Sequence, residues 1–208
     1  MENTWPALIF VLLGLFTTVY SVVEAQPQIG FGWIPTQVVG LVAIAALLIG
    51  TVLLINTLSL AQIFKLIIGI GALGALNAMY LTYAHFTTAG AICPAPVDGY
   101  IACDIVNQSL WSEILGIPVA ALGIGFYMTV MIVAALSLHQ LHSLPSHKAQ
   151  KDALHRPLLV ILAIGGLAFT AWLNYAQFIE LMTLCALCEF SASMVLVLLA
   201  SSIISLRK

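Results

Sequence analysis

Four cysteines are the residues of this chain best suited to chemistry, and they form two pairs. Cys93 and Cys103 lie in a polar segment, with nine residues between them. Cys185 and Cys188 form a Cys-Ala-Leu-Cys unit where a late apolar stretch begins. A thiolate can attack a disulfide sulfur and pass two electrons onward through a mixed disulfide. The two pairs therefore predict a thiol–disulfide relay.

The composition places these cysteines in a membrane protein. Of the 208 residues, 62% are hydrophobic and only 7% are charged, a composition that excludes a water-soluble globule of this length. The net charge is −2 and the basic residues are scattered, so no basic stripe is available for a nucleic acid. We expect the lipid bilayer to be the partner and no nucleic acid to bind.

Apolar runs of about 20 residues, the length that crosses a bilayer, predict six transmembrane helices. They are expected at residues 7–23, 36–57, 64–86, 114–138, 157–179 and 185–206. The longest connections between them are residues 87–113 and 139–155. The fold class predicted is an all-α integral membrane protein.

The basic residues predict the orientation of these helices, because cytoplasmic loops carry an excess of Lys and Arg. An inside amino terminus and six helices put every basic residue on the cytoplasmic side: Lys65, Lys148, Lys151, Arg156, Arg207 and Lys208. Both termini are then cytoplasmic. The protein is expected in the inner or plasma membrane of the cell. The 87–113 loop and the start of the last helix face the outside.

The first apolar run also permits a second interpretation, a cleaved signal peptide. Val23-Glu24-Ala25 has the small residues of a cleavage site. Residues 1–6 carry no positive charge, whereas signal peptides begin with a positive segment. A transmembrane helix is therefore favoured, and cleavage would leave the topology of the rest unchanged.

The predicted topology puts all four cysteines outside the cytoplasm, where disulfides form and persist. Near a helix start, backbone N–H groups and the helix dipole would stabilise the thiolate of Cys185. Cys188 would lie one turn deeper, where a lipid-soluble oxidant reaches it. We expect Cys93 to face a soluble dithiol and Cys103 to exchange with Cys185.

The cysteines permit two other uses. Structural disulfides would indicate a membrane scaffold or transporter subunit. A four-thiolate zinc site would need two paired Cys-x-x-Cys units, and the chain has one, so no metal is expected. The short ring between Cys185 and Cys188 favours a redox role, because strained disulfides are the labile ones.

Three further polar residues are candidate contacts for a lipid-soluble acceptor. Asn77 and Asn174 lie inside predicted helices, where a polar side chain is costly unless it has a partner. An interhelical hydrogen bond is the more frequent explanation, and an acceptor carbonyl is the other. His85, at the outer end of its helix, is either a proton relay and quinol contact or a plain interfacial histidine.

The run from Cys103 to Ser112, then Gly116-Ile117-Pro118, then Cys185-Ala186-Leu187-Cys188 resembles the vitamin K epoxide reductase (VKOR) family. The resemblance covers about residues 64–206 and is to the bacterial or archaeal type without a fused thioredoxin domain. It implies a VKOR-like four-helix bundle around a quinone within residues 61–208, capped by a short helix near 108–112. The two extra N-terminal transmembrane helices, within residues 1–60, have no assigned role.

The resemblance also implies roles for individual residues. Cys188 would meet the quinone, Cys185 would exchange with Cys103, and Cys93 would meet a thioredoxin-like (DsbA-like) partner. The same comparison implies a separate extracytoplasmic thioredoxin-fold protein as that partner. The quinone would be ubiquinone or menaquinone, the vitamin K type.

Two further positions match the family, and two depart from it. Ser109 corresponds to a loop serine near the active site, and Trp111 to an aromatic position. Ala192 stands where the animal enzymes have Tyr, and residues 123–138 lack their ligand-binding Asn. Vitamin K epoxide is therefore not the expected substrate. The expected activity is that of a quinone-dependent oxidoreductase that supports disulfide bond formation.

An unrelated family with the same relay logic, the DsbB-type quinone reductases, is the alternative. Its members carry the Cys-x-x-Cys unit before the second pair. Here the Cys-x-x-Cys unit comes last, so the order along the chain favours the VKOR relatives.

Overall fold

The computed structural model describes residues 49–87, 103–143, 155–183 and 185–208. The chain forms two compact units, Met1–Ser59 and Leu60–Lys208. In the first unit, residues 49–57 are helical, and the Thr57 hydroxyl donates to the Leu54 carbonyl at 2.7 Å. The predicted helix at 7–23 and most of the one at 36–57 lie outside the described residues, so both remain predictions.

In the second unit, the described residues form four long helices and one short one. In chain order they are α1 (Leu60–Phe86), α2 (Cys103–Asn107), α3 (Val119–Ser143), α4 (His155–Tyr175) and α5 (Ala186–Arg207). The four long helices, of 27, 25, 21 and 22 residues, are long and apolar enough to cross a membrane. Since a bilayer needs about 20 apolar residues per helix, the protein is an integral membrane protein.

Small residues let the long helices pack closely, as is common inside membranes. Gly74 of α1 lies against the ring of Tyr127 on α3, and a Cβ atom at Gly74 would overlap that ring. The ring of Phe126 on α3 occupies the space beside Gly166 of α4 in the same way. Tyr127 is consequently 2% exposed, and its hydroxyl bonds Ser191 Oγ on α5 at 2.7 Å.

The fourth predicted helix begins later than expected. Residues 114–118 belong to a small hairpin of β1 (Glu113–Ile114) and β2 (Ile117–Pro118). Leu115 and Gly116 form its turn with φ of 54° and 77°, and two positive φ values mark the tight turn typical of two-residue hairpins. Pro118 disfavours a helical residue before it, so α3 begins at Val119. It also continues to Ser143, five residues past the predicted end.

Other boundaries need smaller corrections. The predicted helix at 64–86 begins at Leu60, and the one at 185–206 is Ala186–Arg207. The predicted cap helix at 108–112 is α2, Cys103–Asn107, followed by a 3-10 turn at Leu110–Ser112. The predicted helix at 157–179 is α-helical only to Tyr175 and continues as a π-helix, Ala176–Glu180.

Candidate functional site

Cys185 and Cys188 form a close pair of thiols at the start of α5. Cys185 is the N-cap residue, and its sulfur accepts the backbone N–H of Cys188 at 3.3 Å. The Cys188 thiol donates to Cys185 Sγ at 2.7 Å, and both cysteines are free. Because a disulfide bond is about 2.05 Å long, a small movement of the sulfurs would close the pair.

The surroundings of Cys185 favour its thiolate. The hydrogen bond from the Cys188 thiol is the main cause that holds the pKa of Cys185 below its ordinary value. Backbone N–H groups of Cys188 and Leu187 act in the same direction, whereas burial and the Glu189 carboxyl oppose them. The direction agrees with the prediction from the helix start, but the neighbouring thiol contributes more than the backbone.

Cys103, the first residue of α2, lies beside this pair. It is 1% exposed and belongs to one buried cluster with Ala84 and Cys185, against which Tyr80 and Cys188 pack. Cys103 is disulfide-bonded. The structure therefore places Cys103 next to Cys185, while Cys93 lies outside the described residues.

Hydrogen bonds tie the segment after Cys103 to the end of α1. The Asn107 side chain donates to the Leu81 carbonyl at 3.1 Å, and the Gln108 side chain donates to the His85 carbonyl at 3.2 Å. His85 Nδ1 lies 2.7 Å from the Asn107 carbonyl, and its Nε2 lies 3.0 Å from Glu113 Oε1. Three of these bonds end on Asn107 or Gln108 and hold α2, with Cys103, against α1, and the fourth joins α1 to β1.

A cavity of about 350 Å³ lies among α1, α2, α3, α4 and α5. This volume is within the range of sites for small molecules, which are mostly apolar with a few polar groups. The lining is largely aliphatic and aromatic. Its wall includes Cys188 and these residues from the sequence predictions: Asn77, Ser109, Trp111 and Asn174.

The predicted acceptor contacts differ in what they touch. Asn77 lines the cavity and also donates to the Leu187 carbonyl at 3.1 Å, the interhelical bond that was the more frequent explanation. Trp111 packs edge-to-face on Trp172 with ring centroids 5.7 Å apart. His85 is not among the described lining residues; its ring contacts Asn107 and Glu113, and its role as an acceptor contact stays a prediction.

Gln177 is a cavity residue that the sequence reasoning missed. It lies in the π-helix, is 2% exposed, and its Oε1 accepts the Cys185 N–H at 2.8 Å. The available signal was a Gln in an apolar run eight residues before Cys185. The spacing of an α-helix does not predict that Gln177 faces the cavity, because the π-helix has a different number of residues per turn.

Comparison with protein families identifies a match that covers most of the chain. The model of the vitamin K epoxide reductase family matches residues 65–203. The match covers more than half of the 208 residues and includes all four cysteines. It also includes the cavity-lining residues described above.

Proposed function

The chain belongs to the vitamin K epoxide reductase family, and we propose that it oxidises a separate thioredoxin-like protein and passes the electrons to a membrane quinone. One observation carries the proposal: Cys103 shares a buried cluster with Cys185, Cys185 is hydrogen-bonded to Cys188, and Cys188 lines the cavity. Such an order is what successive exchange requires, because each sulfur must reach the next. We also propose that the cysteines face the extracytoplasmic side, with both termini cytoplasmic.

The first step is exchange with the partner. We propose that Cys93 and Cys103 form the loop disulfide and that a partner thiolate attacks Cys93. The new bond joins the partner to Cys93, and Cys103 leaves as a thiolate. The second partner thiol then displaces Cys93, so the partner ends as a disulfide and the loop pair as two thiols.

The second step moves the two electrons to the Cys-x-x-Cys unit. The Cys103 thiolate attacks Cys185 of a Cys185–Cys188 disulfide, and Cys188 leaves. Cys93 then attacks Cys103, which restores the loop disulfide and releases Cys185. After this step the loop pair is a disulfide again, and Cys185 and Cys188 are thiols.

The cavity suits the head group of a quinone. Its volume is sufficient for a substituted ring, and Asn77, Ser109 and Asn174 offer polar contacts in an otherwise apolar wall. A bound ubiquinone or menaquinone would supply an acceptor of two electrons and two protons. Cys188, which lines the cavity, is the thiol next to that acceptor. As Cys185 and Cys188 form their S–S bond, their two protons and two electrons leave the pair.

Quinone reduction by the purified full chain in detergent tests this proposal. The donor is a reduced thioredoxin-fold protein, and the quinone absorbance is followed. We expect turnover by the wild type and by Ser193→Ala, whose hydroxyl bonds only the Phe190 carbonyl among the described groups. Cys188→Ser should lose turnover. Absence of turnover by folded wild type with ubiquinone and menaquinone would support a scaffold with structural disulfides instead.

A further inference from the structure

Gln177 has a carboxamide whose orientation is fixed by its neighbours. Its oxygen lies 2.8 Å from the backbone nitrogen of Cys185. A backbone N–H only donates, so the oxygen and not the nitrogen of Gln177 must face Cys185. The NH₂ group is therefore directed away from Cys185, and its recorded acceptor is Asn174 Oδ1 at 3.5 Å.

This NH₂ group has donor capacity that the described residues use poorly. A carboxamide nitrogen carries two hydrogens, and 3.5 Å is long for a hydrogen bond, which is commonly near 2.9–3.0 Å. Gln177 is 2% exposed, and buried polar groups are normally satisfied. Both Gln177 and Asn174 line the cavity. An acceptor atom inside the cavity would complete this site.

We propose that Gln177 binds a carbonyl oxygen of the quinone through Nε2 while its Oε1 holds the Cys185 N–H. The inference rests on the quinone reduction proposed above and assigns it a further binding residue. One side chain would then contact both the acceptor and the residue that closes the disulfide. The N–H would also favour the negative charge that develops on the bound oxygen during reduction.

Two substitutions separate the two halves of this carboxamide. In Gln177→Met the new side chain has a similar length, but it lacks the oxygen that accepts the Cys185 N–H and the NH₂ group that donates a hydrogen bond. Gln177→Glu keeps an oxygen for Cys185 N–H, and once ionised it has no donor. Gln140→Met is the matched control, because Gln140 is paired with His155 at the far end of α3 and does not line the cavity.

Binding is measured without turnover, from quenching of tryptophan fluorescence by ubiquinone or menaquinone, since Trp111 lines the cavity. Loss of one hydrogen bond should weaken affinity about 3- to 10-fold in Gln177→Met. In Gln177→Glu, affinity should fall as pH rises and the new carboxyl ionises, while the wild type and Gln140→Met stay level. The infrared carbonyl stretch of ¹³C-labelled quinone should be lower in the wild type than in Gln177→Met.

Closure of Cys185–Cys188 by diamide, which needs no quinone, reports whether the site is folded. At a pH where its new carboxyl is neutral, Gln177→Glu should close at the wild-type rate, whereas Gln177→Met should close more slowly; ionisation of the carboxyl beside Cys185 should slow closure, because a like charge disfavours the thiolate. Wild-type affinity together with an unchanged carbonyl stretch in ionised Gln177→Glu would overturn the role of Gln177. Absence of quinone binding by the wild type would instead overturn the proposed function, and this inference with it.

Discussion

At the scale of single residues, the thiolate of Cys185 is stabilised mainly by its neighbour Cys188. The Cys188 thiol donates to it at 2.7 Å, and this bond lowers the pKa of Cys185 more than any other contact does. Reactivity is therefore a property of the reduced pair. The Cys185 thiolate exists only while both cysteines are reduced, and it is lost when their sulfurs form a disulfide.

Cys188→Ala should raise the pKa of Cys185. With the donor removed, burial becomes the dominant influence and disfavours the thiolate. Alkylation by iodoacetamide follows the thiolate, so its rate at Cys185 should reach half-maximum at a higher pH than in the wild type. Mass spectrometry of the Cys185 peptide provides the readout. An unchanged pH profile would show that the helix start alone activates Cys185.

Asn77→Ala should destabilise the contact between α1 and the Cys-x-x-Cys unit. The Asn77 side chain donates to the Leu187 carbonyl, and loss of one such bond costs about 1 kcal/mol. We expect a lower thermal midpoint in detergent and a reduced rate of disulfide closure by diamide. If both stay at wild-type values, Asn77 does not brace the unit.

At the scale of elements, α2 carries Cys103 and is held on α1 by hydrogen bonds around His85. His85→Leu should remove the contacts to Asn107 and Glu113 and loosen α2. Exchange between the loop pair and Cys185 should then slow, while quinone reduction after direct reduction with a small dithiol should not. Single-turnover kinetics with a protein donor and with dithiothreitol separate the two steps.

His142→Leu is the control for this prediction, because His142 is exposed at the end of α3. It should leave both rates at wild-type values. A fall in the dithiothreitol-driven rate of His85→Leu would contradict the positioning role and point to the cavity instead.

Gly74→Ala tests the close packing of α1 on α3. The added methyl group would overlap the Tyr127 ring, and overpacking typically costs 1–3 kcal/mol. Gly69→Ala, in the same helix, has no atom within 4 Å of the new Cβ and should be neutral or stabilising. Thermal unfolding in detergent compares them, and equal midpoints would contradict tight packing at Gly74.

The four long helices were predictable because hydrophobicity and length decide whether a segment crosses a membrane. The start of α3 was not, because Ile114, Leu115 and Ile117 extend the apolar run although the backbone turns at Leu115 and Gly116. Residue type singled out Asn77 and Asn174 as polar side chains that need a partner inside a helix, and both lie in the cavity wall, where Asn77 makes an interhelical hydrogen bond. Gln177 was missed because the π-helix changes the number of residues per turn, so α-helical spacing does not predict which side of the helix Gln177 lies on.

At the scale of the whole molecule, the proposed relay requires one orientation in the membrane. A reporter enzyme that is active only in the cytoplasm, fused after Lys208, should be active, because the basic residues predict a cytoplasmic carboxyl terminus. A membrane-impermeant maleimide added to intact cells should reach Cys93 after reduction. An inactive reporter, or labelling only after lysis, would contradict the proposed topology.

The central claim is that Cys185 and Cys188 alone deliver two electrons to a quinone. The most direct measurement is one anaerobic turnover by the reduced Cys93→Ala/Cys103→Ala variant, mixed with equimolar quinone and quenched with an alkylating agent. The account predicts one quinone reduced per protein and a Cys185–Cys188 disulfide in the mass spectrum. Quinone that stays oxidised, or that is reduced while both cysteines become alkylated, would contradict it.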